Sequence, residues 1–561
     1  MKKLFSLMTI FTAILFLILV SLAIADKRTN KVDNLFAQWD RPDTPGCALA
    51  IIEKGKIIYK QGYGMANLEH NIPISPRSVF YIGSVSKQFV AMSIAILIKQ
   101  GKLSLDDDIR KYVPELPDYG IPITIRHLIY HTSGLRDYLA LLDIVGIPFG
   151  HFHQEDVIEI LARQKELNFK PGEEYLYSNS GYFLMAVIVE RASGKTFREF
   201  AEENIFKPLG MKDSHFHDDY TKIIKNRASG YYPAVKRKYK NFISTFDCVG
   251  SGGLYTSVED LFLWDQNFYH CKVGGKDLIT LMHTLGILNN GKKLNYAFAL
   301  NIRPYKGLKT VSHGGALGGY RSAMIRFPEQ NFSIICLSNL STFNPTKLCF
   351  QVADIFLADQ FKEEKTKTEV KLKEKVKFVK LSEKKLKEKV GAFLLSETGE
   401  IIKLFLKDGK LISNASGQNF PLEAVSETEF HVLEAPVKVV IKFEKKSRNK
   451  ALLMHVYQEG EKPKTYKSVQ LVTLTHEQLK EFRGNYYSEE LQVTFRLALK
   501  GGKLYFVHKN APKTPLQPTL RDKFTVRGWK TNFRRNKEGN ISSFSLDAGR
   551  VKNLRFYKKI D

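Results

Sequence analysis

Residues 79–101 read VFYIGSVSKQFVAMSIAILIKQG, and the reading of this stretch decides the fold. An apolar lead-in from Val79 to Gly83 runs into a long apolar helix expected from Val85 to Gln100, which Gly101 closes. Ser84 stands at the seam. A serine at a helix start has its oxygen among backbone N–H groups that lack intrahelical partners and stabilise negative charge as it develops. Lys87 falls one turn later on the same face. A serine hydroxyl is a poor nucleophile until a base takes its proton, and a desolvated lysine takes it or assists another base. The plain alternative is a serine N-cap followed by a surface lysine. S-x-x-K recurs at Ser382–Lys385 and Ser447–Lys450, both in lysine-rich sequence of surface character.

Outward from this helix, two hairpins bracket the region. Apolar and β-branched residues from Gly46 to Gly62 flank the turn Glu53-Lys54-Gly55-Lys56. A second hairpin runs from Ser322 to Phe327, turns at Pro328 to Asn331 and returns through Ser333 to Ser338, followed by a helical pattern from Thr346 to Phe356. Between the hairpins the signals are helical and loop-like. The expected class is α+β, with the first and last strands paired in one antiparallel sheet around a helical insertion.

Two further segments carry chemistry. Residues 169–179 read FKPGEEYLYSN, where Tyr177 and Asn179 bracket Ser178 in a turn-rich segment ahead of a helix expected from Tyr182 to Ser193. A tyrosine beside cations is a proton shuttle, and an amide holds a substrate carbonyl; taken alone, the same tyrosine is also read as a buried ring with a satisfied hydroxyl. Ser312-His313-Gly314-Gly315-Ala316 directly precedes the second hairpin, and its two glycines let an edge strand approach a ligand closely.

Ser84-x-x-Lys87, Tyr177-x-Asn179 and His313-Gly-Gly, in this order, resemble the class C β-lactamase and D-peptidase superfamily. His131-Thr-Ser-Gly-Leu135, Tyr177-Ser-Asn-Ser-Gly-Tyr182, Pro208-Leu-Gly-Met211 and Gly252-Gly-Leu-Tyr-Thr256 resemble it as well, so the likeness covers about residues 40 to 356. It implies a β-lactamase and penicillin-binding-protein-like antiparallel sheet with helices on both faces and a helical subdomain. It also implies roles. Ser84 attacks a carbonyl, Lys87 and Tyr177 accept its proton, the N–H groups of Ser84 and Ala316 form the oxyanion hole, and water clears the acyl-enzyme. Asn179, His313, Gly314 and Gly315 contact substrate. Penicillin-recognising members usually carry Lys-Thr-Gly where this chain has His313-Gly-Gly, so the positive charge that greets a substrate carboxylate is weakened near neutral pH. His-x-Gly is similar to what D-aminopeptidases and family esterases carry there. The implied substrate is a small peptide, amide or ester, with no cofactor and no metal; no acidic residue is assignable to a substrate ammonium.

At 561 residues the chain exceeds a single core, and 43% hydrophobic with 25% charged residues is a globular composition. Met1-Lys2-Lys3, an uncharged apolar run and Ala23-Ile24-Ala25 read as a signal peptide over 1–25, giving export to the periplasm or beyond; an uncleaved membrane anchor is the other reading. Five cysteines, Cys47, Cys248, Cys271, Cys336 and Cys349, have no framework spacing and read as buried free thiols. The catalytic domain is expected over 26–360 and a charged linker over 361–380. Beyond it Leu381 to Gly391 (LSEKKLKEKVG) is repeated as Leu474 to Gly484 (LTHEQLKEFRG), and Lys407-Asp-Gly-Lys-Leu411 as Lys500-Gly-Gly-Lys-Leu504. Two small antiparallel β-barrel-like modules follow, at 381–470 and 471–561, and a catalytic domain followed by two such modules is similar to the D-aminopeptidase layout. Residues 361–561 hold 43 Lys and Arg against 24 Asp and Glu within a net charge of +27. That excess suits an anionic cell-wall polymer as partner; export disfavours nucleic acid, and membrane contact follows only if the leader stays on.

Three rival functions share this sequence. A carboxylesterase or β-lactamase uses the same parts. A wall-fragment sensor keeps the fold without turnover. A zinc hydrolase would use His215-Phe-His217-Asp-Asp219, with His151-Phe-His153 repeating the alternation, but Tyr220 stands where a metallo-β-lactamase has histidine.

Overall fold

The structure is a computed structural model describing residues 27–147, 150, 152–235, 238–361, 378–415, 418–433, 439–444, 451–458, 463–508 and 511–559. The expected signal segment, residues 362–377 of the expected linker, His151 and the Ser447–Lys450 motif lie outside the described residues. The chain divides into two compact units, Met1–Glu364 and Lys365–Asp561.

In the first unit the β-branched hairpin residues form β1 (Cys47–Glu53) and β2 (Lys56–Tyr63). Far along the chain come β3 (Asn301–Tyr305), β4 (Leu308–Leu317), β5 (Tyr320–Phe327) and β6 (Phe332–Ser338). The sheet order is β3-β4-β5-β6-β1-β2. Every neighbour pair is antiparallel, and the two hairpins join through Cys47 opposite Ser338 to Glu53 opposite Phe332. Alternation sorts the faces: Leu49, Ile51, Ile325, Ile334 and Cys336 share a core with Leu348 and Val352 of the helix Pro345–Phe356 and with Val32 and Phe36. Burying a side chain of this size contributes about 1.5–3 kcal/mol. The opposite face of β1 and β6 is covered by the helix Val258–His270.

Inside the helical part, α1 (Lys87–Lys99) packs on α2 (Asn179–Ser193). Val90, Ala91, Met92, Ile94, Ala95 and Leu97 of α1 are all buried. A helix apolar on most sides is one enclosed by its neighbours, which is why its sequence is a continuous run. Two boundaries differ from expectation. Ser84 does not begin the α-helix but sits in a 3₁₀ turn, Gly83–Ser86, that precedes it; the Ser86 hydroxyl holds this turn, donating to the Gly83 carbonyl at 2.6 Å and accepting from Leu254 N–H at 3.3 Å. Asn179 lies in the first turn of α2 rather than in a preceding loop, with Ser178 as the capping residue.

In the second unit, strands from Gly391–Leu395 to Lys464–Val469 close into an eight-stranded barrel, with Ala392 opposite Val469 at the seam. The second repeat is a nine-stranded antiparallel sheet in which Gly484–Ser488 pairs with Val551–Lys558. The repeated turns match in geometry: Asp408 and Gly409, like Gly501 and Gly502, have positive φ, as a two-residue hairpin loop requires. Each repeat opens on one helical turn, capped by Ser382 or Thr475. The second S-x-x-K is therefore an N-cap: Ser382 Oγ accepts from Lys385 N–H while the Lys385 ammonium pairs with Glu427. All five cysteines are free; four are buried, whereas Cys271 is half-buried at a helix C-terminus. Among the described residues no helix is long and apolar enough to cross a membrane.

Candidate active site

Ser84 and Lys87 meet at 3.0 Å, Nζ to Oγ. Lys87 is fully buried, and its Nζ also donates to Asn179 Oδ1 at 3.0 Å and to the Ser251 carbonyl at 2.5 Å. Those two carbonyl oxygens can only accept, so they take two N–H groups of Lys87. The third position of the nitrogen faces the Ser84 hydroxyl. There an ammonium offers a proton to Oγ, and a neutral amine offers a lone pair to the hydroxyl proton: the same contact serves both directions of proton transfer.

Asn179 is itself oriented. Asp137 accepts from its backbone N–H at 2.7 Å and from its Nδ2 at 2.9 Å, which turns Oδ1 toward Lys87. Asp137 is buried and caps the helix Tyr138–Val145 through Ala140 N–H. On the other side, Tyr138 OH and Ser251 Oγ are 2.8 Å apart, fixing the residue whose carbonyl holds Lys87.

Lys87 Nζ lies 5.1 Å from the ring centroid of Tyr177 and 5.6 Å from that of Tyr182. Cations at this distance are attracted to the ring faces. The Tyr177 ring is packed at 4.2 Å from His131, which has a φ of 57° and whose Nδ1 accepts from Ser178 N–H at 3.2 Å. A non-glycine residue held in the left-handed region stores strain, a frequent feature of functional sites.

His313 and Tyr177 ring centroids are 6.3 Å apart. His313 is buried, with Nδ1 2.7 Å from the Gly314 carbonyl and Nε2 3.2 Å from Tyr296 OH. The carbonyl requires the proton on Nδ1, and in the neutral imidazole Nε2 then accepts from the phenol. Burial first, and Lys87 second, push the imidazole down to about 4. The charge that the sequence reading describes as weakened near neutral pH is thus absent there.

Gly83 and Gly315 explain how the nucleophile's turn reaches the strand. A methyl group on Gly315 would sit 1.9 Å from the Ile82 carbonyl oxygen, and one on Gly83 2.7 Å from Ala316 N. Ser322 Oγ ties the contact by donating to the same Ile82 carbonyl at 2.6 Å. Ala316 N is thereby adjacent to Gly83, the residue preceding Ser84. β3 pairs with β4 only as far as Ser312, so from His313 to Leu317 the strand presents a free edge on that side, with Gly314 exposed.

The structure therefore gathers Ser84, Lys87, Tyr177, Asn179, His313, Gly315 and Ala316 into one region. Sequence reasoning missed Asp137, Tyr138, Ser251 and Tyr296, which hold these groups in place. Asp137 and Ser251 flank the stretches His131–Leu135 and Gly252–Thr256 that carry the family likeness; Tyr296 has no local signal. In the rival metal motif His215 Nε2 and His217 Nδ1 are 3.3 Å apart, while the Asp219 carboxylate accepts from the Thr221 N–H and hydroxyl. Burial pushes both imidazoles down to about 4. Among the described residues no three potential ligands form a metal-holding group.

A serine hydroxyl beside a buried lysine amine suits a serine hydrolase. Residues 32–348 match the Beta-lactamase family model, and the chain belongs to that family. It is 33% identical over 302 residues to penicillin-binding protein 4* of Bacillus subtilis (strain 168), an alignment covering 51% of this chain and 66% of that one. It is 24% identical over 532 residues to a D-aminopeptidase of Brucella anthropi, covering 90% of this chain and 93% of the other. Among solved structures, the octameric penicillin-binding protein homologue from Pyrococcus abyssi superposes with a TM-score of 0.55 at 25% identity, covering 79% of this chain and 99% of that one.

Proposed function

We propose that this chain is an exported amidase or peptidase that cleaves D-amino-acid-containing or peptidoglycan-derived peptides through an acyl-enzyme on Ser84. Ser84 Oγ attacks the amide carbonyl as its proton passes to the Lys87 amine, with Tyr177 sharing the proton. The carbonyl oxygen takes the negative charge toward Ser84 N–H and Ala316 N–H. The C–N bond breaks as the proton is returned to the departing amine. Water then adds to the ester, the same groups take its proton, and the acid leaves with Ser84 restored.

The observation that carries the substrate reading is the burial of His313 between the Gly314 carbonyl and the Tyr296 hydroxyl. A buried imidazole that accepts from Tyr296 gives no fixed cation for a substrate carboxylate, which favours amides and amine-terminal peptides over β-lactams and carboxy-terminal acids. Similarity to a D-aminopeptidase along 90% of the chain supports the same choice. In this reading residues 1–25 direct export and are removed before Asp26, residues 26–360 form the catalytic domain, 361–380 link it onward, and 381–470 and 471–561 are the two repeat modules.

Purified protein offered D-amino-acid amides, peptidoglycan stem peptides, simple esters and β-lactams is expected to turn over the first two classes. Turnover of esters or β-lactams with every D-configured amide and peptide untouched would overturn the substrate reading. A mature protein recovered outside the cytoplasm with Asp26 at its N-terminus is the expected sign of export.

A further inference from the structure

The two repeat modules share a scaffold yet differ sharply on the outside. Residues 381–470 carry 16 Lys and Arg against 12 Asp and Glu, whereas residues 471–561 carry 19 against 8. Three of the cations in the latter, Arg534, Arg555 and Lys559, lie near an aromatic pair. In the second module Tyr487 of Gly484–Ser488 stands directly opposite Tyr557 of Val551–Lys558. Alternation puts Tyr486 and Phe556 in the core and turns Tyr487 and Tyr557 outward, the latter 48% exposed. Ser543 lies opposite Tyr557 on its other side, and Arg534 opposite Ser543.

Arg534, Ser543, Tyr557 and Tyr487 thus form one row across four strands, about 14 Å long at the usual strand spacing. Arg555 lies in the adjoining row opposite Ser545, and Lys559 Nζ is 4.9 Å from the Tyr487 ring centroid. At the corresponding seam of the first module, Leu394 faces Lys467. The first module, built on the same repeat, has no tyrosine pair at this position.

We propose that this face of the second module binds a sugar-phosphate or polyol-phosphate polymer. Guanidinium and ammonium groups pair with phosphates, and Arg does so through two parallel N–H bonds. Tyrosine faces pack on the C–H faces of sugars and polyols while their hydroxyls, with Ser543, hydrogen-bond to the hydroxyls of the chain. Rings among cations also suit single-stranded nucleic acid; the choice of an extracytoplasmic polymer rests on the proposed export, and not on the hydrolase reading.

Binding of the full-length protein to purified poly(glycerol phosphate) tests this, measured at low and at physiological salt, beside single-stranded DNA and anionic lipid vesicles. Saturable binding to the polymer that weakens with salt is expected, with a loss of about tenfold or more in the double variant Tyr487→Ala/Tyr557→Ala and in Arg534→Gln. Leu394→Ala and Ser84→Ala are expected to bind as the unaltered protein does, and the tyrosine variant to keep its melting temperature and hydrolytic activity. No polymer binding, binding indifferent to the tyrosine and arginine substitutions, or tighter binding to DNA or vesicles would each overturn the proposal.

Discussion

The Ser84 site of the first unit and the first barrel of the second have interiors of different chemistry. In the first, Lys87, Asn179, Asp137 and His313 are all buried and each meets a named partner within hydrogen-bond distance. In the first barrel of the second, the interior is Phe393, Leu404, Leu422, Phe430, Ile441 and their apolar neighbours. Charges such as the pair Lys410–Glu423 stand outside, while Lys389 is buried with its ammonium 5.5 Å from the Phe443 ring centroid. A buried charge costs several kcal/mol unless paired; away from the site the first unit meets that cost with a partner, as where Arg326 lies beside the buried Asp265.

The sharpest way to break this contrast is at the nucleophile. Ser84→Ala is expected to lower kcat by about 10⁴-fold or more with little change in melting, since it removes a reacting atom and no packing; activity within tenfold of the unaltered enzyme would contradict it. The reverse pattern is expected in the barrel. Phe430→Ala leaves a cavity in an apolar interior and is expected to cost about 3–5 kcal/mol of that unit's stability, with kcat per folded molecule unchanged.

Acid provides a third probe. His313 refuses a proton in the folded state until pH falls to about 4, whereas an unfolded histidine takes one below about 6.5. Between these values the unfolded chain binds more protons, so stability falls as pH falls. The contribution is fully present above about pH 6.5 and lost through pH 4, on the order of 3 kcal/mol for one buried group. The fall in melting temperature across this range is expected to be shallower in His313→Gln, the remainder coming from His215, His217 and His283, which burial likewise pushes down to about 4. The smallest effect is expected at Asp137→Asn: an amide there offers an N–H where the carboxylate accepts, so Asn179 turns and withdraws Oδ1 from Lys87. A drop of about 10- to 100-fold in kcat with KM little changed is the expected reading.

Much of this contrast was legible in the residues. The hairpin turns at Glu53–Lys56 and Pro328–Asn331, the apolar helix after Ser84 and the repeated K-x-G-K-L turns all encode local geometry, and each appears where alternation and turn chemistry put it. The tertiary partners were not legible. Tyr296 meets His313 Nε2 from 17 residues away and Asp137 orients Asn179 from 42, and neither spacing has a period that a sequence pattern reveals. The 3₁₀ onset at Gly83 was equally hidden, because the contact of Gly83 with Ala316 that shapes it lies across the fold.

The central claim is that the hydroxyl held by Lys87 carries the acyl group. Mass spectrometry of protein quenched during turnover of a slow D-amino-acid ester tests it directly. The acyl mass is expected on the peptide containing Ser84, and absent there in Ser84→Ala. An adduct on any other residue, or sustained turnover by Ser84→Ala that a chelator abolishes, would contradict the account.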